Sequence, residues 1–264
     1  MDRELLNSLW NVIQELIWDK LDSAFSIAMS PSRYNILVTS LWRDFLKLRV
    51  HDLDRSWSAV HKDILNWFCT KAYWYEIYDM LEFLAQNLLA SESKRFVVAC
   101  NGVLQREMSA YRFIGKQICP ITDDNEIATL DEALDVPVKG TAVHLSNALA
   151  KLSDRKDPDY RNSIKESICA VESIAKIISS KPKATLGEAL DNIERQGVVK
   201  LHPGLKEGYK KIYGYTSDKD GIRHSMLEKP SLDFEDAYYM LISCSAFINY
   251  LVAKAQKAGI ELNK

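Results

Sequence analysis

The residues best suited to chemistry lie between Tyr213 and Met226, in the segment Y-G-Y-T-S-D-K-D-G-I-R-H-S-M. Arg223 carries a planar cationic fork that suits phosphate, and the adjacent His224 can exchange a proton near neutral pH. Gly214 and Gly221 both allow backbone angles that other residues resist, and Gly221 lies two residues before Arg223. An Arg-His pair after a polar, glycine-marked turn is what a phosphate-handling site needs.

The polar residues between the two glycines are typical of turns and of helix N-caps, whose side chains accept hydrogen bonds from the first amides of a helix. They are Thr216, Ser217, Asp218 and Asp220. We therefore expect one helix to end at Tyr213, a turn to follow, and a short helix to carry Arg223 and His224. Ser217 is the candidate phosphate ligand of this turn.

RNA cleavage without a metal needs a base for the 2′-hydroxyl, an acid for the leaving oxygen and cations that offset charge on the phosphorane. His224 would be the base or the acid, and Arg223 would hold the phosphate bidentately with Asn162 as a further contact. The imidazole would be oriented by one of three acids: Asp218, Asp220 or Glu172. Because the segment holds a single histidine, we expect a symmetric dimer that contributes two Arg-His pairs.

A purely structural interpretation of the same segment stays open. Asp220 would then cap the short helix, and Arg223 would form a salt bridge with Asp218. Adjacent residues of a helix also point about 100° apart, so the Arg-His pair need not face one ligand.

Arg195 and His202 are a minor alternative, because six residues separate them as in an Arg-spacer-His nuclease motif. Gly197 and Pro203 argue against one continuous helix between them. The other three histidines stand alone, and we interpret them as partly exposed structural residues rather than metal ligands: His51, His61 and His144.

Composition excludes several classes of protein. The formal charge of -2 leaves no overall basic footprint for nonspecific DNA binding. The five cysteines are dispersed without metal-like spacing, which predicts reduced thiols in a cytoplasmic protein. No signal peptide and no run of about 18 apolar residues is found, so no membrane association is expected. Nucleotide-loop, zinc-helix and nucleophile-elbow motifs are missing as well, and we expect neither a metal nor a cofactor.

Apolar residues recur at helical spacing along most of the chain, which predicts an all-α fold. The exception is 111–121, where partial alternation predicts a small β-hairpin. We expect a first helix over 2–28. We expect N-caps at Asp54, at Asp124 or Asn125, at Thr141 and at Thr185. The charged, proline-marked stretch 153–159 predicts a domain boundary, with domains over 1–152 and 153–264.

Two groups of motifs resemble a known family of bacterial abortive-infection proteins, the AbiJ type. In the first half they are W-Y-E-I-Y-D-M-L-E-F-L and E-M-S-A-Y-R-F-I-G-K-Q-I-C-P-I-T. In the second half they are R-N-S-I-K-E-S-I-C-A-V-E-S and L-H-P-G-L-K-E-G-Y-K-K-I-Y-G-Y-T-S-D-K-D-G-I-R-H-S. The resemblance covers nearly the whole chain. The first half resembles an AbiJ N-terminal domain, and the second half resembles the HEPN-like domain that follows it.

This resemblance implies a C-terminal HEPN-like helical bundle, commonly a homodimer, in phage defence. Many HEPN proteins are metal-independent ribonucleases with an Arg, a spacer of four to six residues and a His, whereas Arg223 and His224 are adjacent here. The implied partners are RNA, with tRNA as one class, and a protein encoded in the same operon. The alternative is a noncatalytic bundle that binds RNA, nucleotide or a protein partner.

Overall fold

The computed structural model describes residues 1–21, 33–54, 56–197, 202–217 and 232–262, with side chains of the fourth range described as far as Gly214. Over these ranges the chain is mostly helical with one small antiparallel hairpin, so the predicted all-α class is confirmed. The elements are α1 (Arg3–Leu16), α2 (Arg33–Ser40), α3 (Trp57–Asn66), α4 (Trp74–Asn87), α5 (Ala90–Arg106), β1 (Arg112–Ile114), β2 (Gln117–Cys119), α6 (Asp124–Leu134), α7 (Lys139–Ser153), α8 (Tyr160–Ile178), α9 (Leu186–Arg195), α10 (Pro203–Ser217) and α11 (Phe234–Lys257).

The chain divides into two compact units, Met1–Pro120 and Ile121–Lys264. The predicted boundary between residues 152 and 153 therefore lies inside the second unit, in the connection between α7 and α8. These two helices pack closely, and the buried Ser163 hydroxyl of α8 donates to the Ala148 carbonyl of α7 (2.8 Å). The charged stretch is thus a surface connection between neighbouring helices.

The first unit is built around large aromatic side chains. Trp18 and Phe68 are each 1% exposed, and Trp10 packs against Phe68 with ring centroids 5.1 Å apart. Rings of this size bury large apolar areas, so a few of them fill the space between α1, α3 and the short helical turns. Aliphatic side chains such as Leu9, Ile13 and Leu81 complete this core, so aromatic and aliphatic burial together stabilise the unit.

The predicted hairpin is present as β1 and β2, with Phe113 opposite Ile118. Gly115 forms its turn with φ +55°, an angle that glycine adopts without a side-chain clash. Asn101 of α5 holds the hairpin, because its side chain accepts from Phe113 N (2.7 Å) and donates to Phe113 O (2.9 Å). The nearly buried Arg112 donates to backbone carbonyls, which satisfies its charge by hydrogen bonding.

The second unit has an aliphatic core. Helices α8 and α11 cross its centre and pack on each other, with α6 and α7 beside them. Ile164, Ile168 and Ile174 on α8 are fully buried, as are small residues such as Ala170 and Ser167. The small side chains let the helices approach closely, and the branched ones fill the remaining space.

Charged side chains attach α10 to α9 at the edge of this unit. Lys210 donates to both carboxylate oxygens of Asp191 (2.8 and 2.9 Å), and Lys206 bonds Glu194. The hydrogen bond from Lys210, with that from Lys206, lowers the pKa of the Asp191 carboxyl. On its other side, α10 places the Tyr209 ring on Phe247 of α11, with centroids 3.4 Å apart.

The first helix is shorter than predicted, since α1 ends at Leu16 and Trp18–Lys20 form a 3₁₀ turn. Ile17 already leaves helical geometry, with φ -124°. The turn places the Trp18 ring inward, 5.4 Å from the Trp57 ring. Burial of this indole outweighs continued helix formation.

The cap predictions have mixed outcomes. Thr185 caps α9 in a capping box with Glu188, as predicted. The other caps are Ser56 for α3, Asp123 for α6 and Val138 for α7, so the predictions at Asp54, Asp124, Asn125 and Thr141 are wrong. Each observed cap lies one to three residues before or after the residue that was predicted, and its backbone is extended. Residue type alone does not reveal which residue adopts this conformation. None of the described helices combines the length and the apolar composition needed to cross a membrane.

Candidate functional site

Four of the predicted site residues lie outside the residues that the structure describes: Asp218, Asp220, Arg223 and His224. Ser217 belongs to the last turn of α10, so the predicted helix end at Tyr213 and the predicted turn over 214–217 are wrong, while the rest of that turn lies outside the described residues. A glycine inside a helix costs only about 1 kcal/mol, and the packing of α10 on α8 and α9 offsets that cost. Ser217 is therefore a helix residue and not an N-cap.

Asn162 lies in the first turn of α8, where it takes part in capping. Its backbone amide donates to Asp159 Oδ1 (3.0 Å), and its side-chain amide donates to Asp159 Oδ2 (2.7 Å). The carboxylate beside it would repel a phosphate group. Ten residues also separate Asn162 from Glu172, about 15 Å along a helix, so the structure does not bring these two candidates together.

Glu172 lines a groove between α7 and α8. We call this cavity of about 560 Å³ the α7–α8 groove; it is lined by His144, Lys165, Cys169, Glu172, Ser173 and Lys176. Five of its six residues come from α8. Apart from Ser173, which follows Glu172 directly, they recur at spacings of three and four and so share one helix face. Glu172 forms an ion pair with Lys176 one turn on (2.7 Å), and this pair compensates both charges.

His144 is the contribution of α7 to the groove. Its Nδ1 lies 2.6 Å from Glu166 Oε2, and both side chains are partly exposed (37% and 19%). A carboxylate at Nδ1 favours the tautomer with a proton on that nitrogen, which leaves the lone pair on Nε2. The arrangement is therefore suited to accepting a proton from a molecule in the groove.

Lys165 supplies an ammonium group on the same wall. It is exposed, and no acidic side chain in the described ranges pairs with it. Lys176 differs, because Glu172 already neutralises its charge. The Lys165 ammonium is therefore the group that would bind a phosphate in the groove.

The two walls of the groove meet at Gly140. A Cβ built on Gly140 would lie only 2.8 Å from the Ser173 hydroxyl oxygen, so α7 and α8 come into backbone-to-side-chain contact here. The close approach is part of the register in which α7 packs on α8. That register places His144, one turn further along α7, beside Glu166.

The minor candidates Arg195 and His202 lie at the ends of different helices. Gly197, with φ +65°, follows the end of α9, as predicted. Arg195 Nε donates to the Asp191 carbonyl (3.4 Å), and His202 Nδ1 accepts from Gly204 N at the start of α10 (3.2 Å). Both contacts are structural.

The structural interpretation fits His61, which is partly exposed and bonds Gln14 between aromatic rings. His51 is instead 77% exposed and lies 3.2 Å from Asp52 on the surface. Sequence reasoning missed the pairing of His144, because Glu166 lies 22 residues away on the next helix. Among the described residues no group of three or more metal-binding side chains comes together.

A comparison with protein families matches residues 1–136, about half of the chain, to AbiJ N-terminal domain 4. The chain belongs to this family. The matched range covers the first unit and α6 of the second. Membership in the AbiJ N-terminal domain 4 family indicates an abortive-infection-related protein. Comparisons with curated proteins and with solved structures gave no match.

Proposed function

We propose that this AbiJ-type protein is a cytoplasmic endoribonuclease of abortive infection, whose second unit is a HEPN-like bundle that cleaves RNA without a metal. The observation that carries the proposal is the α7–α8 groove, where an imidazole held by a carboxylate shares a cavity with two lysines. These are the groups that phosphodiester cleavage by the 2′-hydroxyl requires. Family membership supplies the biological setting.

The predicted Arg-His pair keeps its assigned role in this proposal. Arg223 would hold the scissile phosphate, and His224 would transfer a proton, with Asp218 or Asp220 to orient its ring. The proposed substrate is RNA, with tRNA as one class. A homodimer would bring two such pairs together, and a protein from the same operon would control the activity.

The test is incubation of the purified full chain with total cellular RNA in EDTA, for wild type and His224→Ala. We expect metal-independent fragments from wild type and a loss of at least about 100-fold in the variant, the usual contribution of a proton-transfer group. His51→Ala is the matched control, because His51 is an exposed histidine beside an acid in the first unit. Intact RNA with wild type at high protein concentration would refute the ribonuclease proposal. Cleavage unchanged in His224→Ala would remove His224 from the site.

The second candidate function is noncatalytic binding of RNA, nucleotide or a partner protein. The observation that favours it is that Glu172 and Asn162 are both engaged, by Lys176 and Asp159 respectively. A groove whose acids are compensated can hold an anion without reacting with it. Gel-shift binding of RNA without any cleavage would support this function over the first.

A further inference from the structure

We propose that His144 is a proton acceptor in RNA cleavage, that Glu166 positions it, and that Lys165 binds the scissile phosphate. This inference rests on the proposed ribonuclease function and assigns it residues in the α7–α8 groove. In a symmetric dimer, a second copy of the chain would supply the second histidine. His144 provides an additional imidazole within the described part of the second unit.

His144 has the geometry of an oriented base. The Nδ1 side of the ring is fixed by Glu166 at 2.6 Å, and Nε2 has no hydrogen-bond partner among the described residues. The residue lines the cavity and is 37% exposed, so a ligand can reach the ring without an opening of the helices. Fixation on one side and access on the other are the two requirements for a general base.

Glu172 is less suited to this role, although it lines the same cavity. Its carboxylate is 2.7 Å from the Lys176 ammonium and is therefore already engaged in an ion pair. The Glu172–Lys176 pair also leaves Lys165 as the ammonium whose charge no described acid compensates. We therefore assign phosphate binding to Lys165 and proton transfer to His144.

The reaction balances as a transesterification. Nε2 of His144 takes the proton of the 2′-hydroxyl while the 2′ oxygen forms a bond to phosphorus. The bond between phosphorus and the 5′ oxygen breaks with its electron pair, and the 5′ oxygen takes a proton from water. The imidazolium then returns its proton to the hydroxide. The products are a 2′,3′-cyclic phosphate and a 5′-hydroxyl, and no oxidant, reductant or metal is required.

The experiment uses the full chain and a short fluorescent RNA whose cleavage site has first been mapped with wild type in EDTA. The variants are His144→Ala, His144→Gln, Glu166→Gln and Lys165→Ala. The matched controls are His51→Ala, which breaks an exposed histidine–acid pair, and Lys62→Ala, which removes an exposed lysine of α3. Urea unfolding of every variant separates loss of fold from loss of chemistry.

We expect kcat to fall about 100-fold or more in both His144 variants, with KM little changed. Added imidazole should restore part of the activity of His144→Ala, which a merely structural histidine would not allow. Glu166→Gln should lower kcat with KM unchanged, because it misorients the base. Lys165→Ala should raise KM about tenfold, since one charge-assisted hydrogen bond is lost.

The outcomes separate this inference from the proposed function. Wild-type cleavage that persists at full rate in folded His144→Gln overturns the assignment and leaves the ribonuclease proposal standing. A folded His144→Ala that is inactive and not rescued by imidazole also overturns the role as base. If wild type cleaves no RNA, both the ribonuclease proposal and this inference fail.

Discussion

Two histidines in the two units show how surroundings decide the use of the same side chain. Nε2 of His61 in the first unit donates to Gln14 Oε1 (2.6 Å), and the ring packs against Trp10 and Trp57, with centroids 5.5 and 5.4 Å away. His144 of the second unit contacts a carboxylate and lines a cavity. The first partner is neutral and the walls are aromatic, whereas the second site is charged and open.

Partner chemistry separates a structural histidine from a candidate base better than exposure does, because both rings are only partly exposed. Burial lowers the pKa of His61, and this effect exceeds the opposing influence of Asp19. The neutral His61 ring packs between the indoles of Trp10 and Trp57 and has a structural role. The His144 ring contacts Glu166 through Nδ1, so its Nε2 can contact a ligand.

The largest effect is expected from Trp10→Ala, which removes one aromatic wall of His61. Trp10 is 8% exposed and also contacts Phe68, so the cavity should lower the free energy of unfolding by about 3–5 kcal/mol. Val143→Ala, beside His144 on α7, is the matched change at the other site. Because Val143 is 48% exposed, we expect a change within about 0.5 kcal/mol. Urea unfolding measures the free energy of unfolding of both variants. Equal decreases in Trp10→Ala and Val143→Ala would contradict the difference in packing between the two sites.

A smaller effect is expected when each histidine loses its hydrogen-bond partner. Gln14→Ala should lower the free energy of unfolding by about 1–2 kcal/mol, because the ring nitrogen of His61 is then left without a partner between aromatic side chains. Glu166→Ala should cost less than about 1 kcal/mol, because water can reach His144 in the groove. Thermal unfolding of the two variants compares them. A greater loss for Glu166→Ala would reverse the comparison and make the His144–Glu166 pair a structural clamp.

The smallest effect is a pH dependence that belongs to His61. Its pKa is lower in the folded chain than the usual value near 6.5, so the unfolded chain binds more protons below that pH. This contribution to stability is complete above about pH 6.5 and decreases as the pH falls toward the folded pKa. His61→Gln should remove it, as urea midpoints measured from pH 7.5 to pH 5 would show. Parallel curves for wild type and variant would contradict the assignment.

The sequence predicted the helical class and the hairpin over 111–121, because both follow from local periodicity. It also predicted the Thr185 cap, since a capping box is contained within four residues. It failed where packing competes with local preference. Trp18 turns inward and ends the first helical segment, and α10 continues to Ser217 through a glycine.

Part of the candidate site was within reach of sequence reasoning, and part was not. Glu172 was selected on its helix face and does line a groove, but its compensation by Lys176 required the side-chain geometry. The roles of Arg223 and His224 stay predictions. His144 was interpreted as an isolated structural residue, because nothing within a helical turn of it suggests a carboxylate partner.

By itself the sequence determined which residues share a helix face, because the helical period is fixed by backbone hydrogen bonding. Once α8 forms, its geometry places four groove residues on one face: Lys165, Cys169, Glu172 and Lys176. Only the tertiary structure decided what stands opposite them. Helix α7 packs on α8 in a register that brings Gly140 to Ser173 and His144 to Glu166. Register depends on side-chain packing between segments distant in sequence, so no local pattern encodes it.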